Sequence, residues 1–166
     1  SDIVEERLQQ FVDDSLSRVW RHPSRRSNAV KTHHDMISVL VGMRRTGKTW
    51  LCFQQMHDLI AGGVPRDRIL YLNFEDDRLT GLSPDQLQWL TELYYARHPT
   101  NREQECHFFF DEIQNVPGWE TFVRRMLDTE KVRITVTGSS AKLLSREIAT
   151  CLRGRALTTE VFPLSF

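Results

Sequence analysis

The sequence has no excess of charge of either sign and no long apolar run. Its 166 residues carry 22 Lys and Arg against 22 Asp and Glu, so the formal net charge is zero. Such a chain has no global field that would draw it to nucleic acid or to an anionic membrane. Its apolar runs are much shorter than the ~20 residues that a membrane-spanning helix needs, and none of them has the pattern of a secretory h-region. We therefore expect no membrane partner.

Cysteine is also scarce. Cys52, Cys106 and Cys151 are an odd number and include no Cys-x-x-Cys pair. Buried, reduced thiols in a cytoplasmic protein explain this set best. Internal repeats and low-complexity tracts are absent as well, and the apolar and charged fractions, 40% and 27%, are those of an ordinary globular protein.

The length suits one domain with a proper core. Apolar residues at three- and four-residue steps predict a helix over 3–20, and a polar, proline-broken loop follows it. We therefore divide the chain into an N-terminal helix and loop, 1–35, and a core, 36–166. The chain starts with Ser1 and stops at Phe166 without a recognisable signal, so we expect it to be part of a longer protein.

The most informative stretch follows an apolar run that ends at Val41. It has the pattern Gly-x-x-x-x-Gly-Lys-Thr and comprises Gly42, Met43, Arg44, Arg45, Thr46, Gly47, Lys48 and Thr49. This is the phosphate-cradling P-loop, with the preceding strand and following helix that the motif requires. Its backbone amides would point at phosphate oxygens, Lys48 would reach the β- and γ-phosphates, and Thr49 would ligate Mg²⁺. The alternative is a glycine-rich turn between a strand and a helix.

Strands and helices alternate along the core. Apolar and β-branched runs predict five strands, over 37–41, 69–74, 107–110, 133–137 and 156–162. Helical periodicity predicts helices over about 48–60, 83–97, 119–127 and 140–150. The first of these helices should bury Cys52, Met56, Leu59 and Ile60, and the second opens on the capping box of Ser83 to Gln86. The alternation predicts an α/β fold with a parallel sheet between two layers of helices.

Two carboxylates mark the other half of the expected site. Asp111 and Glu112 follow three phenylalanines at the carboxyl end of the third strand, where open α/β sheets bind their ligands. Asp111 matches the carboxylate that holds Mg²⁺, and Glu112 can polarise a water for attack on the γ-phosphate, unless the two are only a surface pair. The adjacent Glu favours ATP hydrolysis over transfer to a small acceptor, and the guanine-reading Asn-Lys-x-Asp motif is absent. We therefore predict an ATPase.

Polar residues at the ends of two further strands fit the same site. Thr137 and Ser139 lie where a sensor of the γ-phosphate is expected, although Ser139 or Ser140 can instead cap the next helix. Asn73, at the end of the second strand, can hydrogen-bond Glu112 and hold it away from the water. Its alternative role is to satisfy the backbone at a strand end.

Several segments together resemble a group of prokaryotic AAA+ superfamily ATPases, in which a C-terminal domain of unknown function follows the ATPase core. They are the P-loop and the segments 71–79, 110–120, 137–145, 152–155 and 163–166. The resemblance implies a P-loop NTPase fold of strand order 5-1-4-3-2, ATP and Mg²⁺ as ligands, and ATP hydrolysis. The helical lid and the C-terminal domain of that group would lie beyond Phe166.

A homo-oligomer is one of the arrangements that the resemblance allows. Arg155, or else Arg153, lies where such ATPases carry an arginine that acts on the nucleotide of a neighbouring copy. The alternative for Arg155 is a local role, either an ion pair with an acidic neighbour such as Glu160 or a cap on the preceding helix.

Three functions remain open from the sequence. The first is an ATP-hydrolysing motor or remodeller, the second a nucleotide-dependent signalling switch with little turnover, and the third a DNA-associated ATPase. The neutral charge and the lack of a recognisable helix-turn-helix weigh against the third. A protein or DNA partner would bind through the region beyond Phe166, and the sequence does not identify it.

Overall fold

The computed structural model describes residue 10 and residues 36–43, 47–79, 81–152 and 154–162. Nearly all of the predicted N-terminal helix and loop, together with Arg44, Arg45, Thr46 and Arg153, lie outside these residues. The core is a sheet of five parallel strands: β1 (Ile37–Val41), β2 (Ile69–Asn73), β3 (Cys106–Asp111), β4 (Val132–Gly138) and β5 (Ala156–Glu160). Their spatial order is β2-β3-β4-β1-β5, which confirms the expected order 5-1-4-3-2.

Helices connect the strands, as a parallel sheet requires. They are α1 (Lys48–Ala61), α2 (Pro84–Arg97), α3 (Trp119–Thr129), α4 (Ser140–Leu143) and α5 (Arg146–Leu152). At the start of α2, Ser83 accepts a hydrogen bond from the Gln86 amide, and the Gln86 side chain accepts one from the Ser83 amide. This confirms the predicted capping box, which satisfies two backbone donors at the helix end.

The buried apolar side chains form two clusters, one on each face of the sheet. On one face, Leu40, Tyr71 and Phe109 pack with Leu51 and Met56 of α1. On the other face, alternate strand residues pack with the buried sides of α2 and α3, through Phe108, Phe110, Leu90, Tyr94, Phe122 and Val123. Because strand side chains alternate between faces, one sheet fills both clusters. The result is a three-layer α/β fold, as predicted.

Two of the predicted details are wrong. Ile60 was expected in the core but is 38% exposed, because it lies in the last turn of α1, beyond Met56, which is the last residue that this helix buries. The single helix predicted over 140–150 is two helices. Ser145 begins the second one, since its hydroxyl accepts a hydrogen bond from the Ile148 amide at 3.4 Å and its carbonyl accepts one from the Ala149 amide at 3.0 Å.

The strand ends also differ slightly from the prediction. β2 stops at Asn73 and β5 at Glu160, whereas β3 and β4 extend to Asp111 and Gly138. Within the described part of the chain, none of the helices has the length and apolarity needed to cross a membrane.

Candidate active site

The carboxyl ends of four neighbouring strands meet at one edge of the sheet. The register pairs Asn73 of β2 with Asp111 of β3, and Val41 of β1 with Gly138 of β4. Gly42 continues β1, and its amide donates to the Gly138 carbonyl at 3.3 Å. This edge therefore brings the expected phosphate-binding segment and the expected carboxylates together, as the sequence predicted for an open α/β sheet.

Lys48 lies at the centre of this edge. Gly47 precedes it in the left-handed region, with φ 93°, and starts α1. The Lys48 side chain is 5% exposed, and its ammonium donates to the carbonyls of Gly42 at 2.8 Å and Gly138 at 3.2 Å. The same nitrogen lies 3.4 Å from Glu112 Oε1. A buried cation thus sits between two strand ends with acceptors on several sides.

Asp111 is a buried carboxylate that accepts hydrogen bonds from three hydroxyl groups. Thr49, one residue after Lys48, donates to Asp111 Oδ2 at 2.7 Å, and Tyr71 donates to the same oxygen at 2.5 Å. Thr137 of β4 donates to Asp111 Oδ1. The pairing of Thr49 with Asp111 brings together two oxygen groups of the kind that bind Mg²⁺.

Glu112 has an unusual backbone. It is the single non-glycine residue with positive φ among the described residues, at φ 55° and ψ 48°. A left-handed non-glycine residue of this kind costs on the order of 1–3 kcal/mol and is found preferentially at functional sites. The Glu112 amide donates to Thr137 Oγ1 at 2.9 Å, which anchors this conformation to β4.

The Glu112 carboxylate has a partner on each oxygen. Lys48 lies by Oε1, and Gln114 Nε2 donates to Oε2 at 2.6 Å. Gln114 belongs to a short 3₁₀ turn, Ile113–Asn115, directly after Glu112. The side chain of Glu112 is 13% exposed, so little water competes with these contacts.

The electrostatics of the edge also affect Cys52 of α1. Burial raises the pKa of this thiol well above its usual range, and the nearby carboxylates of Asp111 and Glu112 raise it further. Cys52 therefore stays protonated. All three cysteines are free, and Cys106 is also buried.

The structure does not show the hydrogen bond between Asn73 and Glu112, which was one of the two roles that we considered for Asn73. Asn73 Oδ1 accepts a hydrogen bond from the Glu75 amide at 3.0 Å, which is the alternative role at a strand end. Glu112 turns instead toward Lys48 and Gln114, because its left-handed backbone directs the side chain over the end of β4.

Ser139 occupies the N-cap position of α4, but its hydroxyl makes no capping hydrogen bond. The capping role that we considered for Ser139 is therefore wrong. Thr137, two residues earlier, is engaged instead: its hydroxyl donates to the Asp111 carboxylate and accepts from the backbone amide of Glu112.

Arg155 lies just before β5, at the end of the sheet where the strands begin, opposite the carboxyl ends that carry Lys48 and Asp111. Its carbonyl accepts a hydrogen bond from the Ile37 amide at 2.7 Å, at the start of β1. Its guanidinium lies 2.7 Å from the carboxylate of Asp128 in α3, so the local ion pair is with Asp128 rather than with Glu160. A whole strand separates Arg155 from Lys48 of the same chain.

Sequence reasoning missed two residues of the site, Tyr71 and Gln114. Tyr71 resembles any β-forming core residue, although strand alternation places it on the same face as Asn73. Gln114 follows Glu112 by two residues, and only the left-handed turn brings the two side chains together.

The oxygen donors suit Mg²⁺. That ion is held by one or two carboxylates, with water and substrate phosphates completing its coordination. Asp111 and Thr49 supply such a minimal set at 2.7 Å from one another. The described residues contain no group of three or more His, Cys, Asp or Glu side chains that could hold a metal ion.

Comparison with known proteins extends these observations. Residues 34–166 match a family model described as an AAA domain. The chain is 43% identical over 137 residues to an uncharacterized protein of Methanocaldococcus jannaschii, covering 82% of this chain and 29% of that protein. It is 38% identical over 132 residues to an uncharacterized protein of Haemophilus influenzae, covering 80% of this chain and 32% of that protein. The chain therefore spans about a third of the length of these relatives.

Two solved structures share the fold. Caenorhabditis elegans PCH-2 superposes with a TM-score of 0.52 at 17% identity, over 96% of this chain and 41% of that one. A DNA replication initiation factor superposes with a TM-score of 0.50 at 15% identity, over 97% of this chain and 44% of that one.

Proposed function

The chain belongs to the AAA domain family, and on that premise we propose that it binds ATP with Mg²⁺ and hydrolyses it at the carboxyl edge of its sheet. One observation carries the proposal. Lys48, Thr49, Asp111 and Glu112 come from separate segments and converge there, with a buried ammonium 3.4 Å from one carboxylate and a hydroxyl 2.7 Å from the other. These are the groups that phosphoryl transfer requires.

The residues divide into two roles toward the nucleotide. Gly42 to Thr49, including Met43, Arg44, Arg45, Thr46 and Gly47, would cradle the phosphates with backbone amides and the Lys48 ammonium. Thr49 and Asp111 would hold Mg²⁺, which neutralises charge on the β- and γ-phosphates. We retain Asn73 as a further contact in the nucleotide site, because its strand ends beside Asp111.

Glu112 is the proposed general base. It would take a proton from a water as the water oxygen bonds to the γ-phosphorus, while the bond from that phosphorus to the β–γ bridging oxygen breaks. The products are ADP and inorganic phosphate, and the transfer needs no further reactant. Ser139 would contact the γ-phosphate, which is consistent with a hydroxyl that no capping bond engages.

Arg155 is proposed to act on the nucleotide of a neighbouring copy. Its position at the amino edge supports a role between copies, since it is remote from its own Lys48. A guanidinium that meets the transition-state charge accelerates phosphoryl transfer by about 10³–10⁵. This makes the functional form a homo-oligomer, in which turnover drives a conformational change of a larger protein. The proposed location is the cytoplasm, because the free thiols suit a reducing compartment.

A nucleotide-dependent switch with little turnover is the second candidate. The ion pair between Lys48 and Glu112 favours it, because the proposed base is engaged by the cation that should hold the phosphates. In that case ATP would bind tightly and remain largely intact.

The test replaces the base while preserving its shape. Glu112→Gln should lower ATP hydrolysis by about 10²–10⁴, because an amide cannot accept the proton of the water. ATP affinity should stay near the parental value. Steady-state phosphate release and calorimetric titration, both on the complete protein, measure the two quantities.

The matched control is Glu147→Gln, the same change at an exposed position of α5. It should leave both quantities unchanged. Hydrolysis at the parental rate in Glu112→Gln would show that the base lies elsewhere, and tight binding without measurable turnover in the parent would favour the switch.

A further inference from the structure

The Glu112 carboxylate is held from two sides by partners of different kinds. On one side, the Lys48 ammonium lies 3.4 Å from Oε1 and also donates to two backbone carbonyls. On the other side, Gln114 Nε2 donates to Oε2 at 2.6 Å. Lys48 is a cation that phosphate oxygens attract, whereas a neutral amide has no charge to offer them. The two contacts therefore respond differently to a nucleotide.

Gln114 is fixed in place by β4. Its amide oxygen lies against the Cα of Gly138, so closely that a methyl group at that glycine would clash with it and with Leu143. Gly138 is also the residue whose carbonyl accepts from Lys48 at 3.2 Å. The carboxamide is thus packed between Glu112 and the strand end that helps to hold the P-loop lysine.

The oxygen of the same carboxamide lowers the stability of the fold. Gln114 Oε1 is buried and has no hydrogen-bond partner among the described residues. An unsatisfied buried acceptor offsets much of the stability that one hydrogen bond contributes, and such an atom in a native protein asks for an explanation. Stabilising the turn alone does not explain why this oxygen is left without a partner. Holding the adjacent carboxylate does, because the same carboxamide directs its NH₂ group to Glu112.

We propose that Gln114 is the positioning residue for Glu112 in the hydrolysis proposed above. When phosphate oxygens engage Lys48, Oε1 of Glu112 is released toward the attacking water. Gln114 keeps its hold on Oε2 and so fixes the plane of the carboxylate. Without this amide, Glu112 rotates freely and faces the water in only a fraction of molecules. The inference rests on the proposed function, since it assigns a task to the proposed base.

The first experiment compares kcat with ATP affinity in the complete protein. Gln114→Met keeps the length and packing of the side chain and removes the donor. It should lower kcat about tenfold to a hundredfold, the value of a hydrogen bond to a charged group, and change the dissociation constant for ATP less than about twofold. Gln104→Met, at an exposed position before β3, is the matched control and should change neither.

A second comparison separates positioning from general damage. In a Glu112→Gln background, Gln114→Met should cause no further loss of hydrolysis, because the residue acts through the missing base. An equal loss in both backgrounds, or a parental kcat in Gln114→Met alone, would overturn the inference. If Glu112→Gln itself hydrolyses ATP at the parental rate, the proposed function fails first, and the two failures are distinguishable.

A third readout needs no turnover. Urea unfolding of the parent, Gln114→Met, Glu112→Ala and the double variant gives a double-mutant cycle, which isolates the coupling between these two side chains. The cycle should give a coupling of about tenfold in the folding equilibrium constant. Zero coupling would mean that Gln114 does not hold Glu112, and the inference would be wrong even in a protein that does not hydrolyse ATP.

Discussion

Asp111 is 2% exposed, and hydroxyl groups replace the water that a surface carboxylate would have. Thr49, Tyr71 and Thr137 reach it from α1, β2 and β4. Buried charges are tolerated when polar partners surround them, and hydrogen bonds to a charged group are stronger than those between neutral groups. The carboxylate is thereby aimed toward Thr49, the residue with which it would share Mg²⁺.

His107 of β3 makes stability depend on pH. Burial lowers the pKa of this imidazole below its usual value of about 6.5. Glu105, with Oε1 at 3.9 Å, opposes the shift, while Arg133 and Arg68 add to it. The unfolded chain therefore takes up a proton on this side chain at a higher pH than the folded chain does.

We expect the contribution of His107 to the free energy of unfolding to be fully present above the pKa that this side chain has in the unfolded chain. The contribution should fall as the pH drops below that value. The loss should not exceed about 1.4 kcal/mol per pH unit, the limit for one proton. Urea unfolding at ~pH 7.5 and ~pH 5 measures the difference, and His107→Phe should reduce it. The same difference in parent and variant would mean that His107 titrates equally in both states.

At the scale of elements, one cap and one periodic pattern were predicted correctly. The capping box at Ser83 and the apolar face of α3, from Trp119 to Leu127, were predicted because each depends on residues within one helix. The break between α4 and α5 was missed, although Ser145 is a suitable N-cap. A continuous helical pattern conceals a cap when the residues on both sides also favour helix.

The link between α3 and the start of β5 yields a prediction about Arg155. Its ion pair with Asp128 is partly exposed, at 26% and 57% of the two side chains. Such a pair contributes about 0–1 kcal/mol, so Arg155→Ala should change the melting temperature little. If Arg155 acts on a neighbouring copy, the same variant should lose turnover by far more, and mixing it with Glu112→Gln should restore part of the activity.

Asp128→Asn is the control for this experiment, because it removes the ion pair and keeps the arginine. It should retain parental turnover. A large fall in melting temperature for Arg155→Ala, without recovery on mixing, would leave Arg155 with a structural role.

At the scale of the whole molecule, the site is an assembly of distant segments. The motif predicted Lys48, Thr49, Asp111 and Glu112 because the chemistry of phosphates fixes residue types at given spacings. The strand order that joins β1 to β4 came from the resemblance to known ATPases, since periodicity shows which strands exist but not which are neighbours. That order brings the Gly138 carbonyl to Lys48.

The remaining contacts depend on geometry that no local pattern encodes. The left-handed backbone of Glu112 decides that its carboxylate meets Lys48 and Gln114 rather than Asn73. Tyr71 reaches Asp111 only because β2 and β3 pair in the observed register. Both facts become visible when the sheet is assembled.

The central claim is that Lys48 holds the phosphates of ATP at this edge, and calorimetric titration with ATP and Mg²⁺ tests it most directly. Lys48→Ala should weaken binding at least about tenfold, because it removes the buried ammonium that lies between Gly42 and Gly138. Lys131→Ala, an exposed lysine near the opposite edge, should bind like the parent. Equal affinity of Lys48→Ala and the parent would contradict the account.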